Sequence, residues 1–416
     1  MTIKPMAQQM PANVLVGYWQ AWSPLKLSEI HPAYNVIQLA FATTVSGSEH
    51  QMEFVLPWTY SSKQAFLDEI ESLQNQNKKV ILSIGGAADP VIIDTPTKVT
   101  EFVNSINAIM AEYNYIFDGI DLDLESTSLN FGAWTMSAPA QGQLNLINAT
   151  EAILDHYQAQ TGRRMLLTMA PENVYLQGGL SAWQLSNING GAWLPVLEGL
   201  KDRLDLIHPQ YYNAGGAGGG TFTNTGLLFY DTGDPDYLTA ITETLIEGFT
   251  LLDGRGVFTG IEASKVAIGL PSNACNAAGT GFVTPENVAL ALKYLRGEIS
   301  KPVSFDYTLN STYPELRGLM TWSINEDLLD CPAGGSVWSF AQNFADQIPV
   351  GLNPRQLYAN PNEDQLVNVH NIRGEKILTL RMDSMADLQL QVEVRVKTPG
   401  IYFIKGQQLD HHLVIH

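Results

Sequence analysis

From about residue 14 to residue 348, short apolar runs alternate with stretches whose apolar positions recur at helical spacing. Eight runs have strand length: VLVGYW (14–19), NVIQLAFA (35–42), KVILSIGG (79–86), FDGIDLDLE (117–125), MLLTMAPE (165–172), LDLIHPQYYN (204–213), KVAIGLP (265–271) and RGLMTWSIN (317–325). Strands that read as near-continuous apolar runs are covered on both faces, and such strands separated by helices predict βαβ units on a parallel sheet. Eight of them fit a closed (β/α)8 TIM barrel better than an open doubly wound sheet. Between the runs, Phe66, Ile70 and Leu73 share one helix face, and Val99, Phe102, Val103, Ile106 and Met110 share another. Val337, Phe340, Ala341 and Phe344 predict the last helix. Asp234-Pro235 and Thr284-Pro285 pair an N-cap with proline at the first helical position.

After residue 348 the pattern changes to a Pro- and Asn-containing linker, followed by period-two segments at 376–382, 390–396 and 401–406. The predicted organisation is an N-terminal extension (1–13), a catalytic barrel (14–350) and a small β-sandwich-like module (351–416). A length of 416 residues suits that division, because single cores stop growing near ~250–300 residues.

Charge narrows the function. Forty-two acidic residues stand against 23 basic ones, a formal net charge of −19, which repels phosphate backbones and anionic lipid. Nucleic acid and membrane insertion are therefore not expected. Residues 1–13 carry one lysine and no apolar run, so no secretory signal is visible there. The glycine-rich run 215–220 lacks the Lys-Ser/Thr of a phosphate cradle and reads as a rim loop. The two cysteines lack metal-ligand spacing, and neither a metal nor a cofactor is expected. Cys275 follows the seventh run and Cys331 the eighth, so neighbouring loops at one barrel face bring them within reach of a disulfide.

Residues at the C-terminal ends of barrel strands point into the active-site mouth. Asp121, Asp123 and Glu125 lie at i, i+2 and i+4 of the fourth run and so share its inward face, while Leu122 and Leu124 face the helices. Crowded carboxylates raise one another's pKa, so at least one keeps a proton near neutrality, as general acid catalysis requires. Clustered carboxylates also bind hard cations, but leucine or isoleucine at every second position is not a cation-loop pattern.

DGIDLDLE at 118–125 resembles the DxxDxDxE signature of glycoside hydrolase family 18, and Ser83-Ile84-Gly85-Gly86 looks like its SxGG motif. Met169-Ala170-Pro171-Glu172 and Gln210-Tyr211-Tyr212-Asn213 resemble the hevamine-like and chitinase D-like branch, and Met320-Thr321-Trp322-Ser323 the family's floor tryptophan. The resemblance implies a chitinase that retains configuration with help from its substrate's acetamido group. Glu125 is then the acid, Asp123 orients the acetamido group, Asp121 holds Asp123, and Tyr212 donates to the acetamido oxygen. Trp322, Gln210, Asn213, Met169, Glu172 and Tyr18 are the expected substrate contacts, and chitin or N-acetylglucosamine oligosaccharides are the expected partners.

Trp19, Trp22, Trp183 and Trp193 lie in or near mouth loops and divide between outer sugar subsites and packing. The 45 or so residues between 271 and 317 leave no room for the α+β insertion of many processive relatives, so the cleft should be shallow, which favours endo action and lets acceptor sugars compete with water. An endo-β-N-acetylglucosaminidase acting on N-glycans would use the same groups, and a lectin on this barrel would normally have lost the acid. The tail has too few aromatics for a chitin-binding module; its YANPN and PGIYFI segments resemble a type IX secretion sorting module. A secreted monomer is the expected state.

Overall fold

The computed structural model describes residues 8–88, 90–177, 189–213, 219–223, 226–251, 254–276 and 279–345, and four strands of the tail between 366 and 415. Eight parallel strands build the barrel: β1 (Val14–Gln20), β2 (Val36–Thr44), β3 (Lys79–Gly86), β4 (Gly119–Leu124), β5 (Leu166–Met169), β6 (Leu206–Ile207), β7 (Ala267–Pro271) and β8 (Gly318–Trp322). Their order is β7-β8-β1-β2-β3-β4-β5-β6, and parallel bridges Ile207 to Val266 and Gln210 to Gly269 close β6 onto β7. Each predicted run overlaps one of these strands, with β1 and β2 extending past the ends of their runs.

Side-chain parity divides the core in two. Leu15, Ile37, Leu82, Ile120, Leu122, Leu167 and Ile207 face outward against the helices. Val14, Val16, Val36, Ile81, Leu166, Leu206 and Met320 fill the barrel interior. Met10 joins that interior cluster, and Arg317 Nη1 donates to the Pro11 carbonyl at 2.7 Å, so the end of the expected extension is part of the barrel floor.

The helices α1 (Lys63–Asn75), α2 (Pro96–Glu112), α3 (Gln141–Thr161), α4 (Leu194–Leu200), α5 (Pro235–Glu247) and α6 (Pro285–Leu295) pack outside, whereas between β1 and β2 the described helical structure is one 3-10 turn, Leu27–Glu29. Phe66, Ile70 and Leu73 are buried on α1, and Asp234 caps α5 by accepting the Asp236 amide. A one-turn helix α7 (Ile324–Asp327) follows β8, and α8 covers Ser339–Phe344, so Val337 falls before its start and is 45% exposed. The left-handed backbone of Trp338 (φ 61°) turns the chain there and takes Val337 off the buried face.

Of the glycine-rich run, residues 215–218 lie outside the described residues; Gly219 and Gly220 open a two-stranded antiparallel ribbon, Gly219–Thr223 with Gly226–Tyr230, rather than a loop. Only residues 272–284 join β7 to α6, and no α+β insertion is present there. Cys275 and Cys331 form a disulfide.

The chain divides into two compact units, Met1–Gly351 and Leu352–His416. In the second, β9 (Leu366–Asn371), β10 (Lys376–Arg381), β11 (Gly400–Gly406) and β12 (Leu409–Ile415) form an antiparallel sheet in the order β10-β9-β11-β12. The segment 390–396 lies outside the described residues.

Candidate active site

Beneath the barrel mouth the interior becomes polar. Asp121 is fully buried and accepts from three hydroxyls: Tyr18 at 2.7 Å, Ser83 at 2.7 Å and Thr168 at 2.6 Å. Gln38 lies against both Thr168 (2.9 Å) and His208 (3.2 Å) in the same layer. Burial lowers the His208 pKa, so the imidazole is neutral near pH 7, and it raises the Tyr18 pKa, so the phenol keeps its proton for Asp121. These bonds tie β1, β3, β4 and β5 together under the mouth. Both Asp121 oxygens are engaged by hydroxyls, so its influence on Asp123 runs through charge rather than through the direct hold expected from sequence.

One residue pair further along β4, Asp123 and Glu125 meet a single amide. Gln210 Nε2 donates to Asp123 Oδ1 at 2.9 Å and to Glu125 Oε1 at 2.9 Å. Burial pushes the Asp123 pKa well up, with repulsion from Glu125 and Asp121 adding to it, and burial also raises Glu125. Removing two carboxyls from water side by side leaves a proton bound between them above the ordinary carboxylate range. Glu172 stands behind this pair: its carboxylate accepts the Ser126 amide at 2.9 Å, and burial followed by repulsion from Glu125 raises it to about 7. The Tyr212 hydroxyl is likewise held protonated by burial and then by the Asp123 charge.

A cavity of about 490 Å3 opens over the pair, lined by Trp22, Phe41, Asp123, Glu125, Gln210, Tyr212, Asn213 and Trp322. Phe41 and Trp322 stack with centroids 5.8 Å apart and planes 10° from parallel. Gly85 and Gly86 make room for this arrangement: both have positive φ, and a Cβ would meet the Asp123 carbonyl at 2.6 Å from Gly85 and the Phe41 ring at 2.7 Å from Gly86. Asn213 sits at φ 51°, a region that asparagine tolerates. A second cavity of about 400 Å3, lined by residues including Phe282, Phe340 and Phe344, contains none of the clustered carboxylates.

The structure thus brings together Asp123, Glu125, Gln210, Tyr212, Asn213 and Trp322. Three expected substrate contacts lie elsewhere. Met169 is fully buried in the outer core, because odd-numbered positions of β5 face the helices. Tyr18 lies under Trp322, with centroids 5.6 Å apart, and its hydroxyl is spent on Asp121. Glu172 does not line the cavity. Asp118 starts the acidic motif at the opposite end of β4, where it accepts the Val80 amide at 2.9 Å.

Among the tryptophans, Trp19 and Trp193 are buried, Trp22 is 55% exposed at the cavity, and Trp183 lies outside the described residues. Phe41, Gln38, Thr168 and His208 were not singled out from sequence. Period-two parity could have found Gln38 and His208, polar residues at inward positions of otherwise apolar runs.

A coupled carboxyl pair beside an aromatic floor, at the C-terminal mouth of a (β/α)8 barrel, is an arrangement of the glycoside hydrolase class. The sequence profile described as Glycosyl hydrolases family 18 matches residues 14–291, and the chain belongs to that family. It is 34% identical over 324 residues to Chitinase Chi52 of Paenibacillus xylanexedens, and 34% identical over 324 residues to Chitinase D of Niallia circulans. Each match covers 75% of this chain but only 58% of the relative's length. The crystal structure of a family GH18 chitinase from Chromobacterium violaceum superimposes with a TM-score of 0.69 at 34% identity, covering 82% of this chain and 85% of that one.

Proposed function

We propose that the chain is an endo-acting chitinase that hydrolyses β-1,4-linked N-acetylglucosamine polymers with retention, using the substrate's own acetamido group as nucleophile. The observation that carries this reading is the Gln210 amide shared at 2.9 Å between Asp123 and Glu125, which orients a protonated carboxyl and a second carboxyl towards one cavity. The chitinase names of the relatives support the choice of polymer.

In this mechanism Glu125 gives its proton to the glycosidic oxygen as that bond breaks, and the acetamido carbonyl oxygen attacks the anomeric carbon to form an oxazolinium. Asp123 takes the acetamido N–H and offsets the positive charge, while the Tyr212 hydroxyl donates to the acetamido oxygen. Water then attacks the anomeric carbon as its bond to the acetamido oxygen breaks, and gives a proton to the Glu125 carboxylate, which restores both the acetamido group and the acid. An intramolecular nucleophile has an effective concentration that free water cannot match, so the protein supplies none of its own. Trp322 carries the apolar face of the reacting sugar.

The short β7–α6 connection supports an open cleft, internal cuts and transfer to acceptor sugars. The Cys275–Cys331 disulfide supports a location outside the reducing cytosol, and the tail fits a sorting module for that export.

Assay on chitin oligomers beside a high-mannose glycopeptide tests the substrate, and NMR of the first product tests the mechanism. Oligomer cleavage with initial release of the β-anomer is expected. Cleavage of the glycopeptide alone would move the substrate to N-glycans, and early α-anomer would overturn the acetamido nucleophile.

A further inference from the structure

The aromatic surface does not stop at the rim of the cavity. Trp22, 55% exposed, stacks on Phe41 with centroids 6.2 Å apart and planes at 28°, and it tilts against Trp322 at 6.3 Å. Beyond it lies Trp58, 68% exposed, whose indole N–H donates to the Trp22 carbonyl at 3.1 Å. Trp58 sits in a turn closed by the Tyr60 amide on the Pro57 carbonyl at 3.0 Å. That turn is anchored in turn: the Tyr60 hydroxyl donates to Glu69 at 2.7 Å and accepts the Leu27 amide at 2.9 Å. Val55, 69% exposed, adds to the apolar surface of the same segment.

Leaving two indoles in water is unfavourable, and a contiguous exposed apolar patch beside a binding cavity marks a surface that something covers. Here the indole of Trp58 is already fixed by its hydrogen bond and its turn, so a ligand that stacks on it need not pay much ordering entropy. Pyranose rings present flat C–H faces to such planes, with hydroxyls left at the edges for water.

We infer that Trp58, with Trp22, forms a distal sugar platform on which a β-1,4-linked N-acetylglucosamine chain continues after leaving the cavity. Continuity selects this occupant: aromatic contacts run from Trp322 through Phe41 to Trp22, and the Trp58 indole is bonded to the Trp22 backbone. The inference rests on the proposed chitin-cleaving function and extends it to chain length. Short oligomers fill the cavity alone, whereas longer chains also reach the platform.

The test compares kcat/KM on tri- and hexasaccharide for the wild type, Trp58→Ala and Trp58→Phe, with hexasaccharide affinity measured in a Glu125→Gln background by tryptophan fluorescence. Trp58→Ala is expected to lower the hexa-to-tri ratio of kcat/KM by roughly fivefold or more and to weaken hexasaccharide binding, while Trp58→Phe keeps most of both. An unchanged ratio with unchanged affinity overturns the platform. A change of oligomeric state on Trp58→Ala, without a change in the ratio, overturns it in favour of a protein interface. If the wild type cleaves neither oligomer, yet hexasaccharide binds and Trp58→Ala weakens it, the catalytic reading fails and the platform stands.

Discussion

The Glu172 carboxylate accepts the backbone N–H of Ser126 at 2.9 Å, and thereby holds the residue after Glu125 in the left-handed region at φ 47°. A carboxylate from the segment after β5 thus fixes the chain direction at the end of β4, and its charge stands beside Glu125.

Glu172 titrates at about 7 instead of the ordinary 4.5, because burial and then the Glu125 charge disfavour its ionised form. The folded state therefore binds this proton more tightly than the unfolded state does. The associated stability is full below pH ~4.5 and is lost as pH rises through about 7, with a magnitude of about 3 kcal/mol. Glu172→Gln still accepts the Ser126 amide but carries no charge. Thermal unfolding should show the variant more stable than the wild type at pH 8 and nearly equal at pH 4; parallel stability curves would count against this titration.

Glu125→Gln keeps the shape of the acid and a carbonyl oxygen for the Gln210 amide, but has no proton to give. Turnover on chitin oligomers should fall ~10²-fold or more with binding largely kept. Turnover within tenfold of wild type removes Glu125 from its role. Asp123→Asn and Tyr212→Phe should each reduce turnover while the melting temperature barely moves.

Cys275 and Cys331 close a loop across 56 residues, and a cross-link of that span limits the unfolded chain. Replacing both by serine should cost about 2–4 kcal/mol of stability, read in denaturant melts, with oligomer cleavage at 25 °C kept. An unchanged melting midpoint would show that the link is dispensable.

Truncation after Gly351 removes the second compact unit and leaves every residue of the proposed site. Cleavage of soluble chitin oligomers should stay within a few-fold of the full chain, and affinity for insoluble chitin should be unchanged. A sharp fall in insoluble-chitin binding with oligomer cleavage intact would make the tail a binding module.

Much of this was legible along the chain. Apolar runs covered on both faces located all eight barrel strands, and strand parity alone put Asp121, Asp123 and Glu125 on one inward face. The same parity applied to β5 would have sent Met169 outward, away from the cavity. Helix boundaries were less legible: Val337 has the right spacing for α8 but lies before the turn at Trp338.

Strand identity and facing direction follow from a local period of two, so the sequence by itself determined the barrel, the carboxylate cluster and the order of its motifs. Which carboxyl meets which partner depends on residues distant in sequence. Gln210 joins Asp123 to Glu125 from 87 and 85 positions away, Thr168 reaches Asp121 from 47, and Trp58 reaches the Trp22 backbone from 36. Those pairings need barrel closure, and burial then sets the protonation of each group, because desolvation is a property of the assembled site and not of the chain order. Only the tertiary structure decided that the Tyr18 hydroxyl is engaged by Asp121, and that the Trp58 indole is bonded to the Trp22 backbone.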